Sequence, residues 1–327
     1  MIAFARTIVW IPAACCALAL AASGPGTASP NSPAYERQTV AIRGQEEAAE
    51  GPLGRAFALP GGRVGFVTPR SVYRLRADRS HERIARFPDR CSVSAISPRG
   101  EVYCAGQRFA AHLAAGTFRT LAASLRLSLG ARPSVAAASD TELAFTDGLS
   151  RRVFVVSSTA ARTYTVTPAF EALRSLAVLE RNVIAAADET CGVVLLREGG
   201  IADQRRPRCA GGSAILSRDE AGDLFIVYRG AHEIIVRRAG GTARYDAGGE
   251  LAPIAVAGSD DGRTIAAIRV RLGSSDASAY TLVVMRDGRI AAEESLVFPD
   301  SVAVLPDGSI WVGIGVWHSF AVFRPKR

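Results

Sequence analysis

A short pattern recurs along the chain: an apolar run, a tight turn rich in Gly, Asp or Asn, and a second apolar run. The copy near the C-terminus reads VLPDGSIWVGI, and earlier copies include AFALPGGRVGFV and VSAISPRGEVYCA. The pattern occurs seven times, with its turns marked by Gly62, Gly100, Thr141, Arg181, Gly222, Gly262 and Gly308. An interval of about 40 residues between copies indicates that one supersecondary unit is repeated.

Each repeat also supplies two further strands. In the fifth repeat the runs SAILS, DLFIVY, HEIIVRR and TARYD follow one another with short turns between them. Four short antiparallel strands in a unit of about 40 residues are typical of a β-propeller blade. We therefore predict an all-β, seven-bladed β-propeller with four-stranded antiparallel blades.

The seventh repeat contains three strands, in SVAVL, SIWVGI and SFAVF, before the sequence stops. The run RQTVAIR at 37–43 precedes the first repeat and would otherwise have no partner. Pairing this N-terminal strand with the last one completes the seventh blade and closes the ring without an open sheet edge. The sequence thus predicts a single propeller domain over residues 35–327.

The N-terminus predicts export. Arg6 precedes an apolar run that ends near residue 22, and small residues follow, which is the pattern of a secretory signal peptide. The run is short for a membrane span and contains Pro12. We expect residues 1–29 to be signal peptide and flexible leader, with no transmembrane segment after their removal and a periplasmic or secreted destination. Cys15 and Cys16 leave a lipoprotein open as the less favoured alternative.

Export changes the meaning of the cysteines, because an oxidising compartment favours disulfides. Four cysteines follow the predicted signal: Cys91, Cys104, Cys191 and Cys209. In the predicted blades the first two lie on neighbouring strands of blade two, and the last two on neighbouring strands of blade four, where bonds are geometrically feasible. We predict the bonds 91–104 and 191–209. A metal site is the alternative, but the spacing is not CxxC and the two blades are not adjacent.

The charge is positive, with 39 Lys+Arg against 31 Asp+Glu and a formal net charge of +8. Lys326 is the one lysine, so the positive charge is almost entirely arginine. The arginines occur singly or in pairs, without the clustered basic face and interleaved aromatics of a nucleic-acid binder. We therefore predict a diffuse cationic surface and no nucleic-acid partner.

The first strands of a propeller line its channel, and ligands usually meet the face where those strands begin. The predicted first-strand starts are mostly serine: Arg55, Ser92, Ser134, Ser175, Ser213, Pro253 and Ser301. Serine suits a crowded funnel because it is small and can bond the turn backbone. The functional interpretation is a hydroxyl-lined funnel in which Arg55 supplies a fixed cation for a small anionic or sugar-like ligand.

The loops that join second and third strands reach the same face. They supply the other ligand-binding candidates: Arg70, Arg229, His232, Trp317 and His318. The same loops also contain Asp147, Arg151 and Tyr228. Trp317 with His318 is the best pair, because an exposed tryptophan offers stacking area; a tryptophan packed between blades is the alternative. Asp188 and Glu189 could supply oxygen ligands to Ca²⁺ or Mg²⁺, although such a pair is more often a solvated turn.

Catalytic motifs are missing from the sequence. There is no GxSxG, no HExxH and no phosphate-binding loop. We therefore predict a monomeric, non-catalytic propeller that binds a small ligand or a partner protein at this face, and we expect no cofactor other than a Ca²⁺ or Mg²⁺ ion.

The segment EGPLGRAFALPGGRVGFVTPRSVYRLR, residues 50–76, resembles the first blade of the gluconolactonase-like (SMP-30) family. In that family a Glu before Gly-Pro is a metal ligand in the channel, so the resemblance implies that role for Glu50. The alternative function is a metal-dependent lactonase-like hydrolase or lyase that uses Glu50 together with the loop residues Asp188 or Glu189 and His318. The family's Asn pair and Asp have no match at the first-strand starts of blades three to five.

The last blade, with PDGSIWVGIG, resembles those of NHL-type propellers and streptogramin B lyases. The His/Glu/His set of the lyases is not visible in this chain. The two resemblances cover one blade each, so they imply a propeller and not a particular activity.

Overall fold

The structure is a computed structural model. It describes residues 35–42, 56–59, 63–76, 80–91, 93–96, 102–106, 109–114, 117–121, 134–137, 142–146, 149–157, 159–168, 170–180, 183–188, 190, 192–197, 200–205, 214–218, 224–228, 233–238, 241–248, 251–259, 262–271, 279–315 and 318–326. The predicted signal peptide and leader lie outside these ranges. Within them, no helix has the length and apolar character that crossing a membrane requires.

The elements of the described ranges are short β-strands. In chain order they are β1 Tyr35–Ala41, β2 Ala56–Leu59, β3 Arg63–Val67, β4 Ser71–Leu75, β5 His81–Arg86, β6 Val93–Ile96, β7 Val102–Gly106, β8 Phe109–Ala114, β9 Thr117–Thr120, β10 Ser134–Ala137, β11 Leu143–Thr146, β12 Arg152–Val156, β13 Ala161–Thr165, β14 Leu173–Glu180, β15 Val183–Asp188, β16 Val193–Arg197, β17 Gly200–Arg205, β18 Ala214–Arg218, β19 Leu224–Tyr228, β20 Glu233–Arg238, β21 Gly241–Asp246, β22 Leu251–Gly258, β23 Thr264–Arg271, β24 Tyr280–Arg286, β25 Arg289–Leu296, β26 Ser301–Val304, β27 Ile310–Ile314 and β28 Ser319–Pro325.

The described strands form seven four-stranded antiparallel sheets. Six of them contain four consecutive strands in chain order, and we number these blades 1 to 6, from β2–β5 to β22–β25. Blade 7 has the order β1-β28-β27-β26, so the N-terminal strand lies at its outer edge. The register places Tyr35 opposite Pro325 and Ala41 opposite Ser319. The closing strand therefore begins two residues earlier than the 37–43 run that the sequence suggested.

Middle strands are buried on both sides, whereas outer strands alternate. Every residue of β11 and β27 is buried, because neighbouring blades cover both sheet faces. The outer strands β13 and β21 alternate between exposed and partly buried side chains. This explains why the second strand of each repeat reads as a continuous run of Val, Ile, Ala and Phe.

Apolar clusters join consecutive blades, and the last blade packs against the first. Phe66 of blade 1 stacks on Tyr73 with ring centroids 5.2 Å apart, and meets Phe320 of blade 7 edge-on at 5.6 Å. Trp311 of blade 7 belongs to the same cluster. Further clusters join blades 1 and 2, 2 and 3, 3 and 4, 5 and 6, and 6 and 7. The inner strands β14 and β18 bring blades 4 and 5 together.

Cys91 and Cys104 form a disulfide in blade 2, as the sequence predicts. Cys91 lies just before β6 and Cys104 lies within β7, with their Cα atoms 5.7 Å apart. Both belong to the buried cluster between blades 1 and 2. The other predicted pair, Cys191 and Cys209, lies outside the described residues.

Replacing both Cys91 and Cys104 by alanine is expected to lower the free energy of unfolding by about 3 kcal/mol, because the bond closes a short loop in the unfolded chain. The measurement is urea unfolding of the wild type and the double variant, each with and without a reducing agent. A further loss when the double variant is reduced would report the second predicted bond, between Cys191 and Cys209. Equal stability of wild type and double variant without reductant would contradict the prediction.

Candidate functional site

Two kinds of loop emerge at one end of the blades. One joins the second strand of a blade to its third, and the other leads from its fourth strand to the next blade. Because consecutive strands are antiparallel, both kinds lie at the same end of every sheet. We call this end the loop face. It carries the described ligand-binding candidates Arg70 and His318, and also Arg151, each directly before a third strand.

The position directly before the third strand is Arg or His in five of the seven blades. The residues are Arg70 before β4, Arg108 before β8, Arg151 before β12, His232 before β20 and His318 before β28. Blades 4 and 6 have Gly192 and Ala279 there. Most of these residues were noted one by one from the sequence, but Arg108 and the position common to all five blades were not. The signal was available, because aligning the repeats at their third strands puts the five residues in one column.

In three blades a backbone hydrogen bond fixes this position. The residue that follows the fourth strand of the blade donates its N–H to the carbonyl of the Arg or His directly before the third strand. These bonds join Phe87 N–H to Arg70 O at 2.8 Å, Val166 N–H to Arg151 O at 2.9 Å, and Ile42 N–H to His318 O at 2.8 Å. The donor residues are buried, whereas Arg70 and Arg151 are exposed. A fixed backbone therefore carries side chains that face solvent.

Blade 7 has a constrained loop on this face. His318 has a left-handed backbone with φ of 46°. Its N–H donates to the Gly315 carbonyl at 3.1 Å, and the Gly315 N–H donates to the Asp300 carboxylate at 2.6 Å. Partial burial raises the pKa of the Asp300 carboxyl group, and the hydrogen bond from Gly315 offsets only part of that rise. Trp317 lies outside the described residues.

Phe298 provides a second strained position beside the same blade. It lies in the connection that leads into β26, with a φ of 42° and 41% of the residue exposed, which is unusual for an aromatic residue. Its ring lies 6.0 Å from that of Tyr280, the first residue of β24. A left-handed backbone costs a non-glycine residue about 1–3 kcal/mol, and such positions cluster at functional sites. Asp287 also has a positive φ, but it precedes Gly288 in a two-residue hairpin turn that requires it.

Asp188 has a structural role in this fold. It is fully buried at the end of β15. Its Oδ1 accepts hydrogen bonds from the N–H groups of Thr190 at 2.9 Å and Gly192 at 2.6 Å. Its Oδ2 accepts from the Glu171 N–H and the Thr190 hydroxyl, both at 3.0 Å. Four donors occupy the four lone-pair sites of the carboxylate, so Asp188 fastens two loops and offers no free oxygen to a metal.

Six further predicted site residues lie outside the described residues: Glu50, Arg55, Glu189, Arg229, His232 and Trp317. Of the serines at first-strand starts, Ser175 and Ser301 are partly buried and already engaged in contacts. Within the described ranges, no three His, Cys, Asp or Glu side chains come together as a metal site.

Arg269 was missed by the sequence analysis. This β23 residue is 2% exposed and donates from one guanidinium nitrogen to the carbonyls of Ala247 and Gly248, in the connection that leads into blade 6. Its other terminal nitrogen donates to Glu293 on β25 at 2.8 Å. Burial lowers the pKa of Arg269, and the charges of Glu293 and Asp246 oppose that shift. Arg269 therefore fastens the outer part of blade 5 to blade 6 at the loop face.

The fold is shared with known propellers. The virginiamycin B lyase from Staphylococcus aureus superposes with a TM-score of 0.64 at 13% identity, over 89% of this chain and 99% of the lyase. The WD40 β-propeller domain of Doa1 gives 0.64 at 13%, over 89% and 98%. The β-propeller domain of Cps50 (Swd1) from Myceliophteria thermophila gives 0.65 at 12%, over 89% and 100%.

No protein-family model and no curated protein matches the sequence. At identities this low the structural likeness shows the fold alone. The chain has the β-propeller fold that the virginiamycin B lyase and the WD40 domains share, as the repeats predict.

Proposed function

We propose that this protein is a non-catalytic binding propeller that takes an anionic small molecule, or an anionic segment of a partner protein, at its loop face. The observation that carries the proposal is the repeated Arg or His directly before the third strand of five blades. Several cations arranged around one face add their fields and raise the local concentration of anions. Arginine also binds carboxylates and phosphates through two parallel hydrogen bonds.

The anchored backbone supports the same proposal. A binding residue is most effective when its own position is fixed before the ligand arrives, because less ordering is then required on binding. Arg70 and Arg151 combine an anchored carbonyl with an exposed guanidinium group. The strained backbone of His318 and Phe298 adds an aromatic and a titratable side chain beside blade 7.

The lactonase-like alternative requires a bound metal ion. Glu50 and Glu189 remain its candidate ligands, whereas Asp188 has its oxygens occupied by four donors. Metal analysis of the purified protein separates the two functions. A stoichiometric Ca²⁺ or Mg²⁺ ion that is lost in Glu50→Gln would favour the metal-dependent enzyme and count against our proposal.

Export is part of the proposal. The signal-like pattern of residues 1–29 and the bond between Cys91 and Cys104 both suit an oxidising compartment. Cell fractionation and the mass of the mature protein test it. Cleavage between residues 22 and 29 and recovery outside the cytoplasm are expected. An acylated Cys15 or Cys16 would indicate the lipoprotein alternative, and an uncleaved cytoplasmic protein would contradict export.

Ligand binding can be followed with one tryptophan. Beyond the predicted signal the chain contains Trp311, which is buried, and Trp317 in the blade 7 loop. In a Trp311→Phe background, emission from Trp317 should change on titration with citrate, inorganic phosphate or a hexose phosphate. Adding Arg70→Gln and Arg151→Gln should weaken that response about tenfold or more, because two positive charges are lost from the face.

A matched control removes the same charge from the opposite face. Arg197→Gln with Arg289→Gln, in the same Trp311→Phe background, should leave the titration unchanged. Equal weakening by both pairs would indicate a non-specific effect of net charge. No response to any anionic probe, or a response that Arg70→Gln and Arg151→Gln leave intact, would contradict the proposal.

His318→Gly tests whether the strained loop serves binding. Glycine adopts a positive φ without strain, so we expect the free energy of unfolding to rise by about 1 kcal/mol. The same change should weaken the Trp317 response, because it removes the imidazole and its hydrogen-bonding nitrogens. Urea unfolding and fluorescence titration of the same preparation check both halves. This interpretation of the loop would be wrong if the variant were less stable than wild type or bound the anionic probes equally well.

A further inference from the structure

The turns that join third and fourth strands lie at the end of the blades opposite the loop face. In blades 4, 5 and 6 the last residue of the third strand is an arginine: Arg197, Arg238 and Arg286. Blade 7 has Arg324 next to the end of β28, and blade 1 has Arg76 directly after β4. Blades 2 and 3 have Ala114 and Val156 at this position. Five consecutive blades therefore carry arginine along one outer rim.

We call the set Arg76, Arg197, Arg286, Arg289 and Arg324 the arginine arc. All five are exposed. Arg76 lies 3.3 Å from Glu82, but the other four form no ion pair with any residue in the described ranges. The acidic neighbours of the arc among the described residues are Glu82, Asp287 and Glu36, which lies opposite Arg324 in the sheet. The five arginines therefore keep an excess of positive charge.

Blade 6 adds a directly repulsive arrangement to the arc. Arg286 and Arg289 face each other across the hairpin in register. Like charges placed opposite one another on adjacent strands destabilise a sheet. Asp287, between them in the chain, makes its ion pair with Arg263 at 3.2 Å. A bound anion would relieve the repulsion between the two arginines.

Exposed aliphatic side chains accompany these charges. Four large apolar residues are notably exposed among the described residues, and two of them lie on this rim. Ile290, 43% exposed, directly follows Arg289, and Ile201, 36% exposed, pairs with Leu196 beside Arg197.

We propose that the arginine arc docks the propeller onto an anionic lipid surface. Arginine side chains attract acidic headgroups, and isolated aliphatic side chains beside them can enter the boundary between headgroups and acyl chains. The third-to-fourth-strand turns of all blades lie at one end of the ring, so the arc can meet a flat surface at several points together. The loop face then remains free on the other side.

The test is co-sedimentation of the protein, purified from cells that export it, with vesicles of phosphatidylglycerol and phosphatidylcholine. We expect binding to these vesicles, weak binding to phosphatidylcholine alone, and release by salt, because screening weakens attraction between exposed charges. The triple variant Arg197→Gln, Arg286→Gln, Arg289→Gln should lower the partition coefficient about 100-fold, since each arginine near such a surface contributes roughly fivefold.

The matched control carries the same charge change in blades 2 and 3 and in the connection that leads into blade 2. Arg90, Arg119 and Arg152 are exposed arginines outside the arc, and their triple Gln variant should bind the acidic vesicles within about threefold of wild type. Ile290→Ser, which keeps all charges, should weaken binding about fivefold through the lost apolar contact. Circular dichroism and urea unfolding of each variant establish that it is folded.

Three outcomes would overturn the proposal. One is equal binding to neutral and acidic vesicles. Another is equal loss in the arc variant and the control variant, which would indicate net charge alone. The third is binding to duplex DNA that the arc variant loses while neither protein binds acidic vesicles, which would identify the arc as a nucleic-acid surface.

Discussion

Replacing Arg269 with alanine is expected to lower the free energy of unfolding by about 4 kcal/mol, because one buried and one partly buried carbonyl lose their donor and a cavity opens. The carbonyls of Ala247 and Gly248 both accept from this guanidinium group. Glu293 loses its partner as well, but it is half-exposed, so water restores much of its hydration. Urea unfolding of the variant and the wild type measures the loss.

Two further variants separate the causes. Arg269→Met refills most of the space without supplying donors, so it should recover the packing share of the loss and leave the hydrogen-bonding share. Arg263→Ala removes an arginine of the same blade whose pair with Asp287 is largely exposed, and it should cost less than about 1 kcal/mol. Equal costs for Arg269→Ala and Arg263→Ala would refute the structural role assigned to Arg269.

Asp188→Ala is expected to cost about 4 kcal/mol as well, because three backbone N–H groups and one hydroxyl lose a charged acceptor. The Gly192 N–H is the most affected, since its 2.6 Å bond to Asp188 is buried. The variant should also loosen the connection through Glu171, which leads into β14. The measurement is urea unfolding, with hydrogen exchange of the Gly192 and Glu171 amides as the local readout.

Asp307 provides the matched control for this change. Its carboxylate accepts from the Ser309 N–H and hydroxyl, but it lies in an exposed turn where water can replace it. Asp307→Ala should cost about 1 kcal/mol or less. If Asp188→Ala were equally mild and Ca²⁺ or Mg²⁺ binding were lost with it, Asp188 would be a metal ligand after all, contrary to the role assigned to it.

The strand pattern was predictable from sequence because blade geometry imposes it. Both faces of β11 and β27 are covered by neighbouring blades, so these strands must be apolar throughout, and tight turns must punctuate them at one interval. The pairing of Cys91 with Cys104 followed from the same register. Features of this kind can be predicted from sequence because they depend on the geometry of a single blade.

The roles of individual polar residues were much less predictable. Asp188 looked like a solvated turn or a metal ligand, because the sequence does not reveal that Glu171, seventeen positions earlier, donates to it. Arg269 interrupts an apolar strand, and the reason for its presence is not evident until its acceptors, the carbonyls of Ala247 and Gly248, are known. Such bonds join a strand to the connection that enters its blade, so the alternation of apolar and polar residues along the strands does not show them.

Blade 7 pairs two strands, β1 and β28, that lie almost the full length of the chain apart in sequence. Tyr35 lies beside Pro325, so the sheet that seals the ring joins the first described strand to the last. Contacts of such large sequence separation are costly in loop entropy and form late in folding. While the chain is being synthesised, β1 has no partner until β28 has been made, and six assembled sheets would leave Phe66 and Tyr73 uncovered. The protein would therefore depend on its final residues to hide that surface from aggregation.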